Sequence, residues 1–178
     1  MDWYEKLTDY FPEHELKDVN QMEALLEHVP AYRKRETEDY LVMYAEYPDF
    51  IFLDYLLVYP GTRGRGIGGQ VIGDFQSKGK LLIAEVEPED EENADTGKRI
   101  RFYEKNGFRL ASNIEYTRWD NDGEVFRMDI YYWSPDPTHE RQVLQMMKHI
   151  CREIHNFQAM KYYGRLVANP ETSLQWKH

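Results

Sequence analysis

The chain has 178 residues, enough for one domain with a substantial core, and a formal net charge of -10. That acidity speaks against a nucleic-acid partner, because phosphate contacts need clustered Lys and Arg; it suits the attraction of cations such as an amine or a basic peptide. A lone Cys151 excludes an internal disulfide and fits a reducing compartment. No apolar run is long enough to span a bilayer, and "MDWYEKLTDY" has neither the basic flank nor the apolar core of a signal peptide. The expectation is a cytoplasmic protein with no membrane partner.

In chain order, Trp3, Leu7, Tyr10 and Phe11 recur at helical spacing, as do Leu16, Val19, Met22, Leu25, Leu26 and Val29. Two short amphipathic helices therefore open the chain. "YLVMYAEYPDFIFLDYLLVYP" is rich in β-branched and aromatic residues and is broken at Pro48-Asp49, which predicts two strands joined by a tight turn. After Pro60 and Gly61, the residues Ile67, Val71, Ile72 and Phe75 mark one helix face that stops at Gly79. "KLLIAEVEP" is a buried strand. Strand, glycine loop, helix and strand make a βαβ unit, so these two strands should be parallel.

The acidic stretch "EPEDEENAD" predicts a loop, "TGKRIRFYEKNG" a helix and "FRLAS" the start of a strand. "IEYTRWDNDGEVFRMDIYYWS" predicts a hairpin turning at Asp122-Gly123. Asp136 can cap a last helix with Pro137 at its first position. Val143, Met146, Met147, Ile150, Ile154 and Phe157 line that helix, and Cys151 sits in the same pattern as a buried small hydrophobe.

The chemistry concentrates in "PGTRGRGIGG", residues 60–69. Gly64, Gly66 and Gly69 spell G-x-G-x-x-G, the dinucleotide fingerprint, and Glu85 lies about 20 residues beyond, where a ribose-binding acid would sit. Arg63, Gly66 and Gly68 spell R-x-x-G-x-G, a cradle for the pyrophosphate of coenzyme A. Both readings share one physics: glycines bring backbone N–H groups close to an anion, and the following helix adds the positive end of its dipole. Against a dinucleotide, Pro60 to Arg63 separate the strand from the fingerprint, and only one βαβ unit follows. No Lys-Ser or Lys-Thr follows the glycines, so a P-loop does not fit.

A second motif, "RFYEKNGF" at 101–108, joins the first. Together, "LLVYPGTRGRGIGG" and "RIRFYEKNGFR" closely resemble the acetyl-CoA-binding and following segments of GNAT-type N-acetyltransferases, and the order of elements agrees over residues 40–133. The resemblance implies an α/β fold with a mixed, mostly antiparallel sheet. A central parallel strand pair would splay at the acyl-CoA site, with helices flanking the sheet. Residues 1–135 would form this acetyltransferase domain and 136–178 a C-terminal helical extension packed on it, with a possible homodimer contact.

It further implies acetyl transfer from acetyl-CoA to an amine (a small amine, or one on a peptide or protein) by direct attack on the thioester. Arg63, Gly64, Arg65, Gly66, Ile67, Gly68 and Gly69 match the pyrophosphate loop. Leu56, Leu57 and Val58 match the strand that pairs with the pantetheine arm and polarises the thioester carbonyl. Tyr103 matches the tyrosine that protonates the departing thiolate. An Asn usually precedes that tyrosine; its spacing falls on Thr96 here, with Asn93 nearest. The usual first strand is missing from the pattern.

The amine needs a general base. Two-residue alternation puts Asp54 on one face with Phe52, Leu56 and Val58, and an acid inside "FIFLDYLLVY" must be solvated, paired or functional. Asp54 is the first candidate and Glu85 the second. Glu89, Asp90, Glu91 and Glu92 read as a solvated loop that could line a cationic entrance. The six histidines form no zinc pattern and no metal is expected. A domain that binds acyl-CoA without catalysis, as a sensor or interaction module, is the alternative from another class.

Overall fold

The computed structural model describes residues 2–177. Six strands form one sheet in the order β1-β2-β3-β4-β8-β5, from β1 (Tyr32–Glu36), β2 (Tyr40–Glu46), β3 (Phe50–Val58), β4 (Leu81–Val86), β5 (Arg109–Leu110) and β8 (Asp129–Trp133). Among the described residues only β3 and β4 run parallel, as the βαβ order requires; the other neighbours in this sheet are antiparallel. Helices α1 (Asp2–Tyr10), α2 (Val19–His28) and α5 (Glu140–Ile150) supply Leu7, Leu25 and Met147 to the core on one face. On the other face, α3 (Ile67–Gln76) and α4 (Ala94–Lys105) bring Val71, Phe75 and Tyr103 against Leu53, Leu82 and Ala84. A small second sheet runs β7-β6-β9, from β6 (Ile114–Trp119), β7 (Val125–Arg127) and β9 (Leu174–Trp176).

One irregularity organises the centre. The β2–β3 register passes from Met43↔Tyr55 to Tyr44↔Leu53, so Asp54 is the extra residue of a β-bulge. Alternation is broken there. Phe52, Tyr55 and Leu57 enter one core, while Leu53 and Leu56 face the other. Asp54 therefore does not share a face with Leu56 and Val58, contrary to the unbroken pattern. At the same level, the β3–β4 pairing stops after Leu53↔Ala84, and β3 continues with β2 alone to Val58.

The bulge is clamped. Lys17 Nζ donates to Asp54 Oδ1 at 2.8 Å, and the Tyr32 hydroxyl donates to Oδ2 at 2.6 Å. The Lys17 and Asp54 side chains are 1% and 3% exposed. Burial lowers the Lys17 pKa, and Asp54 opposes that shift. Beside them the Tyr55 hydroxyl donates to Glu15 O at 2.6 Å and accepts from Lys17 N at 2.9 Å. The segment between α1 and α2 is thus fastened onto β3.

Three expectations need correction. The missing first strand is β1, "YRKRE": only Tyr32 is buried along it, so its charges hide the pattern, as suits an edge strand. The expected hairpin holds from β6 to β7. After Met128, however, β8 leaves to insert between β4 and β5, because Ile130 and Tyr132 face one core and Tyr131 the other. The helix expected to be capped by Asp136 starts four residues after it, at Glu140, and is capped by His139, which accepts from Arg141 N while Gln142 closes a capping box; a further short helix, α6, spans Ala159–Tyr163.

Helix α5 does not stay regular. It widens into a π turn over Cys151–His155, and the 136–178 segment ends in strand β9 on β6 rather than in helix. Cys151 is fully buried, and burial pushes its thiol up to about 12.

Asp54→Asn leaves the Lys17 ammonium buried without a counter-charge and should cost about 3–5 kcal/mol in urea unfolding. The double replacement Lys17→Met with Asp54→Leu removes both charges and should lose distinctly less. Equal losses would show that no such clamp operates.

Candidate active site

A cleft of about 410 Å³ opens where β3 and β4 part. Its floor is Leu56 and Val58 of β3, and one wall is Gly64, Gly66, Ile67, Gly68 and Gly69. Gly64 and Gly66 have φ of 85° and 73°, the left-handed region that favours glycine. Gly66 caps α3 without a side-chain hydrogen bond, so the first amides of the helix have no side-chain partner. Gly68 permits another close approach: a Cβ there would meet Phe102 Cε1 at 2.7 Å, so the ring would have to shift. The loop is therefore packed directly against α4.

The opposite wall is α4, through Asp95, Lys98, Arg99, Phe102, Tyr103 and Asn106. Their spacing of three and four residues is one helix face. Arg63, Lys98, Arg99 and Lys105 surround the cleft against the single carboxylate of Asp95. This is a local reversal of sign in an acidic chain. Arg63 is held back by Nε donating to Val58 O at 3.1 Å, with its guanidinium 5.0 Å from the Tyr10 ring centre. The arrangement fits an anion of pyrophosphate type.

Tyr103 belongs both to this cleft and to a cavity of about 30 Å³ beneath it, which also contains Leu56, Arg99, Phe11 and Met128. Burial holds the Tyr103 hydroxyl well above an ordinary phenol, with Arg99 pulling the other way. It stays protonated and able to donate.

The remaining expected residues lie elsewhere. The Leu57 side chain faces the opposite core, which leaves only its backbone at the gap, and Arg65 lies outside the cleft lining. Asn93 caps α4 by accepting from Asp95 N at 3.1 Å. Thr96 is fully buried, accepting from Asp90 N and donating to Asn93 O. Both side chains are consumed in folding the loop before α4, so neither lines the cleft. The acids Glu89 to Glu92 are exposed and line none of the described cavities. Sequence reading missed Tyr10 and the basic face of α4. The 98, 99, 102, 103, 106 periodicity was the available signal for the latter.

The two expected bases are both engaged. Asp54 accepts from Lys17 and Tyr32, one partner on each oxygen. Glu85 Oε2 lies 2.9 Å from His155 Nε2 and 3.5 Å from Arg118 NH1. Burial pushes the Glu85 carboxyl up, but His155 and Arg118 outweigh it and hold the group well below the usual carboxylate range. Burial likewise lowers the His155 pKa. Asp54, Glu85 and His155 do converge, a set the histidine spacing concealed, but Lys17 and Arg118 already supply its positive charge. A third carboxylate, Glu15, lines the same small cavity. Its Oε2 lies 3.4 Å from Arg99 NH1, and its Oε1 is buried with no hydrogen-bond partner.

No family model matches the chain. A curated Bacillus subtilis protein, "Putative acetyltransferase YjbC", is 44% identical over 166 residues, covering 92% of this chain and 86% of the relative. A solved GNAT-family structure from Bacteroides thetaiotaomicron superposes with a TM-score of 0.70 at 16% identity, covering 91% of this chain and 90% of its own. An aminoglycoside 6'-N-acetyltransferase solved with coenzyme A is 16% identical at TM-score 0.48, over 76% of this chain and 89% of its own. With the parallel pair parting at a glycine-rich helix start and a relative this similar over nearly its whole length, the chain belongs to the GNAT family of acetyltransferases.

Proposed function

We propose that the protein transfers an acetyl group from acetyl-CoA to an amine by direct attack on the thioester. The observation that carries this reading is the glycine-rich start of α3, free of any side-chain cap, in a cleft lined by four cationic side chains where β3 leaves β4. The α3 amides and Arg63, Lys98 and Lys105 would hold the pyrophosphate. From Asp54 to Val58, β3 has no partner on the β4 side, which leaves its backbone free to pair with the pantetheine arm. That brings the thioester to Tyr103. Its protonated hydroxyl would supply the proton that the departing thiolate needs.

The acceptor side supports an amine. A hollow of about 570 Å³ lies between α1, the segment before α2 and the C-terminal Tyr162 and Tyr163. Tyr4, Phe11, Glu13 and Asp18 also line it, and no Lys or Arg does. Aromatic faces and carboxylates without a competing cation suit an ammonium group. Phe11 is common to this hollow and the small cavity that holds Tyr103.

The test is thiol release from acetyl-CoA across alkyl, aromatic and polyamine acceptors and Lys-containing peptides, with calorimetric binding in parallel. Amine-dependent release supports transfer; binding with no amine that accelerates release would leave a non-catalytic acyl-CoA module.

Tyr103→Phe should lower kcat by roughly 10²-fold or more while the acetyl-CoA Kd stays within about twofold. A variant with unchanged kcat would remove Tyr103 from the chemistry. Gly66→Ala forces a side chain into φ of 73°. It should therefore weaken acetyl-CoA binding by roughly tenfold, the equivalent of about 1–2 kcal/mol of strain. Calorimetry at fixed salt reads this directly, and an unaltered Kd would refute the cradle.

A further inference from the structure

We propose that Glu15, in the turn between α1 and α2, is the general base that takes the proton from the acceptor ammonium. The inference rests on the acetyl-transfer reading above and names the residue that completes it. Glu15 lines the small cavity that also holds Tyr103, Leu56 and Asp54, on the side of the strand gap away from the glycine loop. It is 5% exposed, and its Oε1 is buried with no hydrogen-bond partner. A buried, unpartnered carboxylate oxygen is costly unless a ligand or water supplies the missing donor. An ammonium entering the cavity would supply it.

The surroundings suit proton acceptance. Burial raises the Glu15 pKa, Arg99 opposes, Glu87 adds to the rise, and His14 and Arg118 pull down more weakly. Of the other carboxylates in the cavity, Asp54 has a donor on each oxygen; Glu85 shares an unpartnered Oε1, but His155 and Arg118 hold its carboxyl low. Glu15 also has a path outward. His14, Glu15 and Glu87 bring one ligand-type atom each within 4.8 Å of one another, and His14 and Glu87 are 33% and 21% exposed. Its position is fixed by Tyr55, which donates to Glu15 O at 2.6 Å.

The balance is as follows. The ammonium gives one proton to Glu15 Oε1, and the neutral nitrogen attacks the thioester carbonyl. The N–C bond forms and the C–S bond breaks. The thiolate takes a proton from Tyr103, which is restored by the second proton leaving the nitrogen. One proton leaves Glu15 for solvent past His14 and Glu87, so the net reaction releases one proton.

The experiment compares wild type, Glu15→Gln and Glu15→Asp with two acceptors: the best alkyl amine of the panel, and hydroxylamine, which is already unprotonated at neutral pH. Thiol release, acetyl-CoA Kd by calorimetry and thermal midpoint are read together. With the alkyl amine, Glu15→Gln should lose roughly 10²-fold or more in kcat/KM and the ascending limb that Glu15 contributes to its pH profile. Hydroxylamine turnover should fall by less than about tenfold, and acetyl-CoA Kd should stay within about twofold. Glu15→Asp should retain the limb at reduced rate, which separates a lost carboxylate from a lost fold. Equal losses with both acceptors, or full alkyl-amine activity in Glu15→Gln, would overturn the assignment while leaving acetyl transfer intact. A wild type that no amine accelerates overturns the transfer reading and this assignment with it.

Discussion

Everything at the centre of this protein depends on one extra residue. A strand that paired evenly with β2 and β4 along its length would close the sheet and leave no gap. The bulge at Asp54 adds local twist where the β3–β4 pairing ends, so the far half of β3 stays with β2. An acid at that position is expensive to bury, and the chain answers with Lys17 from the segment before α2 and Tyr32 from the edge strand. Three elements distant in sequence are thereby tied to the point where the sheet opens. The clamp also brings the α1–α2 turn over the gap, which is how Glu15 and Phe11 come to share a cavity with Tyr103.

The electrostatics follow the same division. The chain is acidic as a whole, yet its cations are spent where anions must be met. Around the cleft, Arg63, Lys98, Arg99 and Lys105 outnumber Asp95; on the other side of Phe11 the hollow has Glu13 and Asp18 and no cation. Cationic side chains thus line one side of the gap, and carboxylates with aromatic rings the other. Arg99 stands between the two, with Glu15 on one side and the Tyr10 and Phe11 rings beneath its guanidinium. A net charge cannot describe such a molecule; the signs matter by location.

Much of this was legible in the chain. The parallel β3–β4 pair, the helix after the glycines and the helix bearing Tyr103 all follow from local signals: apolar period, turn residues and positive-φ glycines. What was illegible is what depends on long-range pairing. "YRKRE" has no period because only Tyr32 along this edge strand is buried. "VFRMDIYYW" reads as one strand because nothing local marks the change of sheet at Met128. The two-residue alternation around Asp54 fails for the same reason: a bulge is a relation between two strands and is absent from either alone. Thr96 fell at the right spacing for a cofactor contact and Asn93 was the nearest Asn, yet the longer acidic loop needs both to reach α4.

The same distinction separates the three carboxylates. Asp54 and Glu85 stood out because they interrupt apolar strands, and an acid in such a place demands an explanation. Their environments supply one: each is matched by a buried cation, Lys17 or Arg118. Glu15 drew no attention because "FPEHELKD" looks like an exposed turn, where acids are ordinary. Only the fold shows it buried with an unpartnered oxygen. An acid that satisfies its charge within the fold is held for structure, and one left partly unsatisfied beside a cavity is available for chemistry. Glu85 also has an unpartnered oxygen on that cavity, so what separates it from Glu15 is direction: His155 and Arg118 hold the Glu85 carboxyl low, whereas burial raises that of Glu15.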